Sequence, residues 1–170
     1  MRTTVGIIGY GMVGQTMKMG FYDTVDTIIV DPLYSNITVE ELCERNPQFI
    51  FVCVPTPEYE TRFTTLTHTL EQIKNCGYTG ITVVKSTVLP QFLEPYDVVF
   101  NPEFLSRSTA LDDLLSPPYV VVAGDRCAEL VDFYAKFTPM DISRVYYTDI
   151  PTAAFIKYTA NAFYALKVTY

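Results

Sequence analysis

Val5-Gly6-Ile7-Ile8-Gly9-Tyr10-Gly11-Met12-Val13-Gly14 runs from a short β-prone stretch straight into G-x-G-x-x-G. A second apolar run, Thr27-Ile28-Ile29-Val30, then ends in Asp31. Each of these residues has a physical reason to be where it is in a dinucleotide site. Gly9 permits a tight strand-to-helix turn, and Gly11 removes a Cβ where a pyrophosphate must approach the backbone. Gly14 lets the following helix sit close to the sheet, with its N-terminus facing the phosphates. Tyr10, Met12 and Val13 complete the predicted cofactor turn. Asp31 can accept hydrogen bonds from the adenosine ribose hydroxyls, and its charge repels a 2′-phosphate, so the cofactor reads as NAD rather than NADP.

The remainder of the chain continues the alternation that this turn begins. Strands are predicted at 3–8, 27–30, 49–54, 81–85, 98–100, 119–123 and 145–147. Helices are predicted at 12–21, 39–45, 61–76, 125–137 and 151–168. Val13, Met17 and Phe21 share one face of the first helix. Phe63, Leu66, Leu70 and Ile73 do so in the third, which Gly77 is placed to cap. Pro151 suits the first turn of the last helix. The order predicts an α/β fold of Rossmann type: a doubly wound, mostly parallel sheet with helices on both faces and ligands at the carboxyl ends of the strands. Residues 1–150 read as the NAD-binding domain, and 151–170 as the start of a connecting helix.

Composition narrows the function classes. With 170 residues, 49% of them hydrophobic, the chain can bury a substantial core. A net charge of −7 argues against non-specific nucleic-acid binding. No signal peptide or membrane span is read. Cys43, Cys53, Cys76 and Cys127 fit no metal-site spacing and read as small buried hydrophobes in a reducing compartment, the cytoplasm. His68 is expected on an exposed helix face. Lys85 is expected to be solvated or salt-bridged, without a role.

Four further segments follow predicted strands or lie on the last helix: Val52-Cys53-Val54-Pro55-Thr56-Pro57, Lys85-Ser86-Thr87-Val88-Leu89-Pro90, Phe100-Asn101-Pro102-Glu103-Phe104-Leu105-Ser106 and Ile156-Lys157-Tyr158-Thr159-Ala160-Asn161. In order and spacing, from residue 5 to residue 170, the chain resembles the UDP-glucose/GDP-mannose dehydrogenase family. The resemblance implies oxidation of a nucleotide-sugar primary alcohol to a carboxylate by NAD in two hydride transfers, through a cysteine-bound thiohemiacetal and thioester. It implies that Lys157 and Asn161 donate hydrogen bonds to the reacting oxygen, and that Glu103 and Thr87 position or deprotonate the hydrolytic water. Ser86 and Thr87 would lie on the nicotinamide side, with Val54, Pro55 and Thr56 beside the cofactor ribose. Glu103, Phe104, Leu105, Ser106, Lys157 and Asn161 would meet the nucleotide-sugar substrate.

The chain departs from the family pattern in three places. Ser106-Arg107 stands where the family has an acidic residue at the second position, and Ala154 stands where it has a glutamate one turn before the Lys–Asn pair. The family's nucleophilic cysteine lies in a G-G-x-C-F-P-K-D-like segment that these 170 residues do not contain. The chain is therefore expected to be the cofactor half of such an enzyme, not fully active alone. Its expected partner is a C-terminal chain, or a second copy meeting it through the last helix. The alternative is a non-catalytic protein of the same origin that binds or senses NAD or a nucleotide sugar. A β-hydroxyacid-type dehydrogenase would explain Lys157 and Asn161 but not the Pro55-Thr56-Pro57 and Asn101–Leu105 segments.

Overall fold

A computed structural model describes residues 2–57 and 63–169. Seven strands form one sheet: β1 (Thr3–Ile8), β2 (Val25–Val30), β3 (Phe49–Val52), β4 (Ile81–Val84), β5 (Val99–Phe100), β6 (Val120–Ala123) and β7 (Val145–Thr148). Their spatial order is β2-β1-β3-β4-β5-β6-β7. The chain reverses direction across the sheet between β1 and β3, which opens a crevice at their carboxyl ends. The first five strands are parallel, as expected. β6 runs against β5, and β7 is parallel to β6. The 101–119 connection holds only the six-residue helix α4 (Ala110–Leu115), which the sequence reading did not anticipate. With no crossover helix of sheet length, the chain comes back antiparallel to β5.

Alternate side chains of the buried strands feed two cores. Phe49 and Phe51 of β3 point to one face, where they meet Phe133 and Tyr134 of α5 (Cys127–Phe137) and Met17 of α1 (Met12–Gly20). The rings of Phe49 and Phe133 lie 4.6 Å apart. Ile50 and Val52 point to the other face, against Leu42 of α2 (Val39–Glu44) and Leu66, Leu70 and Ile73 of α3 (Thr64–Asn75). This strict alternation is what a sheet covered on both sides requires. Burying each such side chain stabilises the fold by about 2 kcal/mol.

The local signals explain where the elements stop. Thr38 and Glu41 form a reciprocal capping box at the start of α2. Gly77, at φ +66°, ends α3 in the left-handed conformation foreseen for it. The predicted start of α3 at residues 61 and 62 lies outside the described residues. α6 (Ile150–Thr169) takes Pro151 in its first turn and buries Ala153, Ala154 and Lys157. From Asn161 onward its described side chains are exposed. Among the described residues, no helix is long and apolar enough to cross a membrane.

Gly9, Gly11 and Gly14 of the turn and α1 differ in what a methyl group would meet. At Gly9 (φ +87°) it would lie 2.8 Å from the Cys53 carbonyl, and at Gly14 it would lie 2.2 Å from the Gly9 oxygen. At Gly11 it would meet nothing within 4 Å. Gly9→Ala and Gly14→Ala are each expected to lower stability by about 2 kcal/mol or more. Gly11→Ala should lower it by under about 1 kcal/mol. Urea unfolding of the three variants checks this, and equal losses would contradict it.

Candidate functional site

The glycine turn and Asp31 are joined directly. The Tyr10 amide donates to Asp31 Oδ2 at 2.7 Å, and the Leu33 amide donates to Oδ1 at 2.9 Å. Asp31 thus fixes the end of β2 against the turn after β1, while each carboxylate oxygen keeps acceptor capacity for a hydroxyl. Gly9 is held from the same side, its amide donating to Val30 O at 2.9 Å. Gly11 caps α1 without a side chain, so the unpaired first-turn amides of a nine-residue helix face open space. These are the requirements of a pyrophosphate and ribose cradle. Gly14 acts from beneath, through helix-to-turn packing. The Tyr10 ring packs edge-on against Tyr34, with centroids 5.1 Å apart.

A cleft of about 380 Å³ opens from this cradle. Gly9, Gly11, Met12, Val13 and Asp31 line one end, and Val54, Pro55, Thr56, Ser86, Thr87 and Glu103 line the rest. The turns after β3 and β4 are tied together across it. The Ser86 hydroxyl donates to Val54 O at 2.6 Å, and the Thr56 hydroxyl donates to Thr87 O at 2.8 Å. Residues from five separate segments therefore line one cleft, which no single motif in the sequence could show.

Glu103 reaches the cleft bound to α6. Lys157 Nζ donates to Glu103 Oε1 at 3.1 Å and also to the Glu103 backbone carbonyl. Both side chains are largely withdrawn from water, at 5% exposure for Lys157 and 15% for Glu103. The other oxygen, Oε2, accepts from the Leu105 amide at 2.7 Å. The Lys157 ammonium also sits 5.2 Å over the Phe104 ring. Of the predicted substrate contacts, the Leu105 amide is thus engaged within the chain. So is the Ser106 amide, which donates to Asp113 Oδ2 at 2.7 Å.

Asn161 stands apart from this pair. It is exposed on α6 and makes no side-chain hydrogen bond among the described residues. Arg107 is also exposed and joins no ion pair among them. Ala154 packs into the apolar core with Phe100 and Val121.

Lys85 corrects the sequence reading. It is neither solvated nor salt-bridged: it is 3% exposed, and its ammonium donates to Asn101 Oδ1 at 2.7 Å. Burial pushes its pKa down to about 8, partly opposed by Cys53 and Glu103. Its place after the apolar run Ile81–Val84 was the available signal, because a residue continuing a buried strand is itself buried. Cys76 also departs from expectation, being exposed, whereas Cys43, Cys53 and Cys127 are buried as read. Burial pushes the Cys53 thiol, at the cleft wall, up to about 12. His68 is exposed, as expected.

With this geometry in view, similarity to known proteins is informative. No family model matches the chain. The UDP-glucose 6-dehydrogenase of Rickettsia felis is 30% identical over 166 aligned positions, covering 81% of this chain and 34% of that protein. The chain belongs to the UDP-glucose/GDP-mannose dehydrogenase family. The same fold recurs in a UDP-glucose dehydrogenase from Pyrobaculum islandicum (TM-score 0.80, 21% identity, covering 98% of this chain and 51% of that one). It recurs again in a ternary complex of GDP-mannose dehydrogenase from Pseudomonas aeruginosa (TM-score 0.79, 22% identity, 99% and 51%). The chain spans about a third of the length of that curated relative and half of these structures, and corresponds to the N-terminal part of the dehydrogenase family.

The buried Lys85 makes stability depend on pH in a defined direction. Its folded pKa of about 8 lies below the ordinary 10.5. Below pH 8 both states carry the proton, and the fold bears the desolvation of that charge. Between about 8 and 10.5 the folded state has released a proton that the unfolded state still holds, so the Lys85 contribution rises with pH. The buried thiols Cys43 and Cys53, raised to about 12, act in the opposite sense above pH 9. Comparison with Lys85→Met cancels their effect. The stability of the unmodified chain relative to that variant should grow by roughly 3 kcal/mol across the window, measured by urea unfolding at a series of pH values. A flat difference would contradict the assignment.

Proposed function

We propose that this chain is the NAD-binding part of a nucleotide-sugar dehydrogenase. The observation that carries the reading is a single cleft with the glycine turn and Asp31 at one end and Glu103, paired with Lys157, at the other. The chain's own residues fit the cofactor. The α1 amides and the open space at Gly11 suit the pyrophosphate, and Asp31 suits the adenosine ribose hydroxyls. Val54, Pro55 and Thr56 would border the other ribose, with Ser86 and Thr87 toward the nicotinamide. When bound, NAD supplies a hydride acceptor.

The protein's part is to hold the sugar's primary alcohol beside that acceptor and to manage charge. Lys157 is a buried donor able to stabilise a developing oxyanion. Asn161, one helix turn away on α6, would join it when a substrate oxygen bridges the two. Glu103 and Thr87 would hold a water, Glu103 as the proton acceptor. Phe104, Leu105 and Ser106 would border the nucleotide sugar. A thiol step would draw its nucleophile from residues other than these 170, because Cys53, the cysteine at the cleft wall, is held protonated by burial.

Residues 1–150 would form the binding domain, and α6 would begin a connecting helix. Phe155, Phe163, Tyr164, Leu166 and Val168 on α6 are 57–87% exposed. These exposed apolar side chains, spread around the helix, would meet a C-terminal partner chain or a second copy.

Calorimetry tests the cofactor claim. NAD should give a saturable heat, NADP should bind at least tenfold more weakly, and Asp31→Ser should narrow that difference. No heat with NAD at millimolar concentration would overturn the proposal.

A separate assay tests the division of labour. The chain alone should form no NADH from NAD and UDP-glucose, and a chain carrying the thiol segment should restore turnover. Saturable NAD binding with no turnover in any such mixture would favour the non-catalytic binder instead. NADH formation by the isolated chain at ordinary enzyme rates would refute the division.

A further inference from the structure

Lys85 takes no part in the function proposed above, yet its placement is unusual for a structural side chain. It lines the nucleotide cleft and also a small cavity behind residues 101–105, so it stands in the wall between the two. Its ammonium has three donors, and among the described residues only Asn101 Oδ1 accepts from it. An apolar side chain of the same length would occupy this space without desolvating a charge. Packing alone therefore gives no reason for a lysine.

Asn101 shows what the lysine acts upon. Its Oδ1 accepts from Lys85 and, at 2.8 Å, from the Tyr134 hydroxyl of α5. Its Nδ2 donates to Val121 O at 2.7 Å, and its backbone amide donates to Val84 O at 3.0 Å. Asn101 is thereby pinned to β4, β6 and α5 together, and Pro102, with its fixed φ, leads directly from it to Glu103.

We propose that Lys85 is a positioning residue: its buried ammonium, acting through Asn101, holds Glu103 in register for its ion pair with Lys157. The proposal rests on the reading of Glu103 and Lys157 as the reactive pair. The groups around Lys85 are Cys53 at the end of β3, Glu103 on the loop, Lys157 on α6 and Tyr134 on α5. Asp113 borders the small cavity, its carboxylate engaged by the Ser106 amide and the Thr109 hydroxyl. The ammonium attracts Glu103 and repels Lys157, so it sets the balance of charge across the pair. Burial raises both the Cys53 thiol and the Tyr134 phenol, so neither loses its proton where Lys85 does.

The Leu105 amide, which donates to Glu103 Oε2, is a built-in reporter of that carboxylate. In the 15N-labelled chain its chemical shift should titrate between pH 6.5 and 9.5 with a midpoint near that of Lys85, about 8. Lys85→Met should abolish the transition. Lys85→Arg, which stays charged, should also lack it and keep the shift of the low-pH form. A flat profile in the unmodified chain, or a transition that survives in Lys85→Met, would overturn the proposal. If Lys85→Met fails to fold by circular dichroism, Lys85→Arg decides, and a surviving transition there would overturn it equally.

NAD calorimetry separates this from the functional reading. A Lys85-dependent titration without NAD binding would refute the dinucleotide site and leave the positioning of Glu103 standing. NAD binding with a flat Leu105 profile would refute the positioning alone.

Discussion

The close approach of α1 to the turn after β1 is the constraint on which the rest of this molecule depends. A methyl group at Gly14 would lie 2.2 Å from the Gly9 carbonyl, so helix and turn meet backbone to backbone. That contact brings the N-terminus of α1 level with the carboxyl edge of the sheet rather than beyond it. The Tyr10 amide can then reach Asp31 at 2.7 Å, which locks β2 to the same turn. Because β3 departs on the other side of β1, the crevice between them opens where the helix dipole is positive. The open helix N-terminus at this edge is thus a consequence of how tightly a helix and a strand can be connected.

A second feature is the amount of charge taken out of water at the far end of the crevice. Glu103, Lys157 and Lys85 are all largely buried, and only the first two neutralise one another directly. Buried pairs rarely add net stability, since desolvation roughly offsets attraction. A packing explanation for three such groups in one wall is therefore weak. They are better understood as a preorganised field, held by Asn101, Tyr134 and the Leu105 amide, whose reorganisation has been settled during folding.

Much of this was legible in the sequence because it is local. Gly9, Gly11, Gly14 and Asp31 state a turn, a helix start and a strand end within 23 residues, and Phe49-Ile50-Phe51-Val52 could only be a strand buried on both faces. What was not legible depended on contacts between distant segments. The reversal of β6 follows from the 101–119 connection lacking a crossover helix, which a run such as Val120-Val121-Val122-Ala123 cannot announce. Lys85 looked like a solvated lysine because residue type argues for exposure; its partner Asn101, and the Tyr134 that also binds Asn101, lie 16 and 49 positions away. Cys76 looked buried by residue type, yet it follows the last turn of α3 and faces solvent. Helical spacing put Asn161 on the same side of α6 as Lys157, but only Lys157 lies where the helix still packs on the sheet.

The thiol at the cleft shows why spacing and environment must be argued separately. Cys53 sits within the crevice, beside the cationic Lys85, and a cation near a cysteine usually favours thiolate. Here burial is the larger effect, and Glu103 adds a negative charge that works in the same direction, so the pKa rises to about 12 rather than falling. The same burial lowers Lys85 to about 8, so near neutral pH the cation and the neutral thiol coexist without exchanging a proton. A cleft built this way suits charge stabilisation and hydride transfer, which need fixed dipoles and exclusion of water. It is poorly suited to generating a thiolate, which needs solvation or a close cation on a partly exposed sulfur. The burial that fixes the dipoles along this cleft thus makes its own cysteine unfit to be a nucleophile.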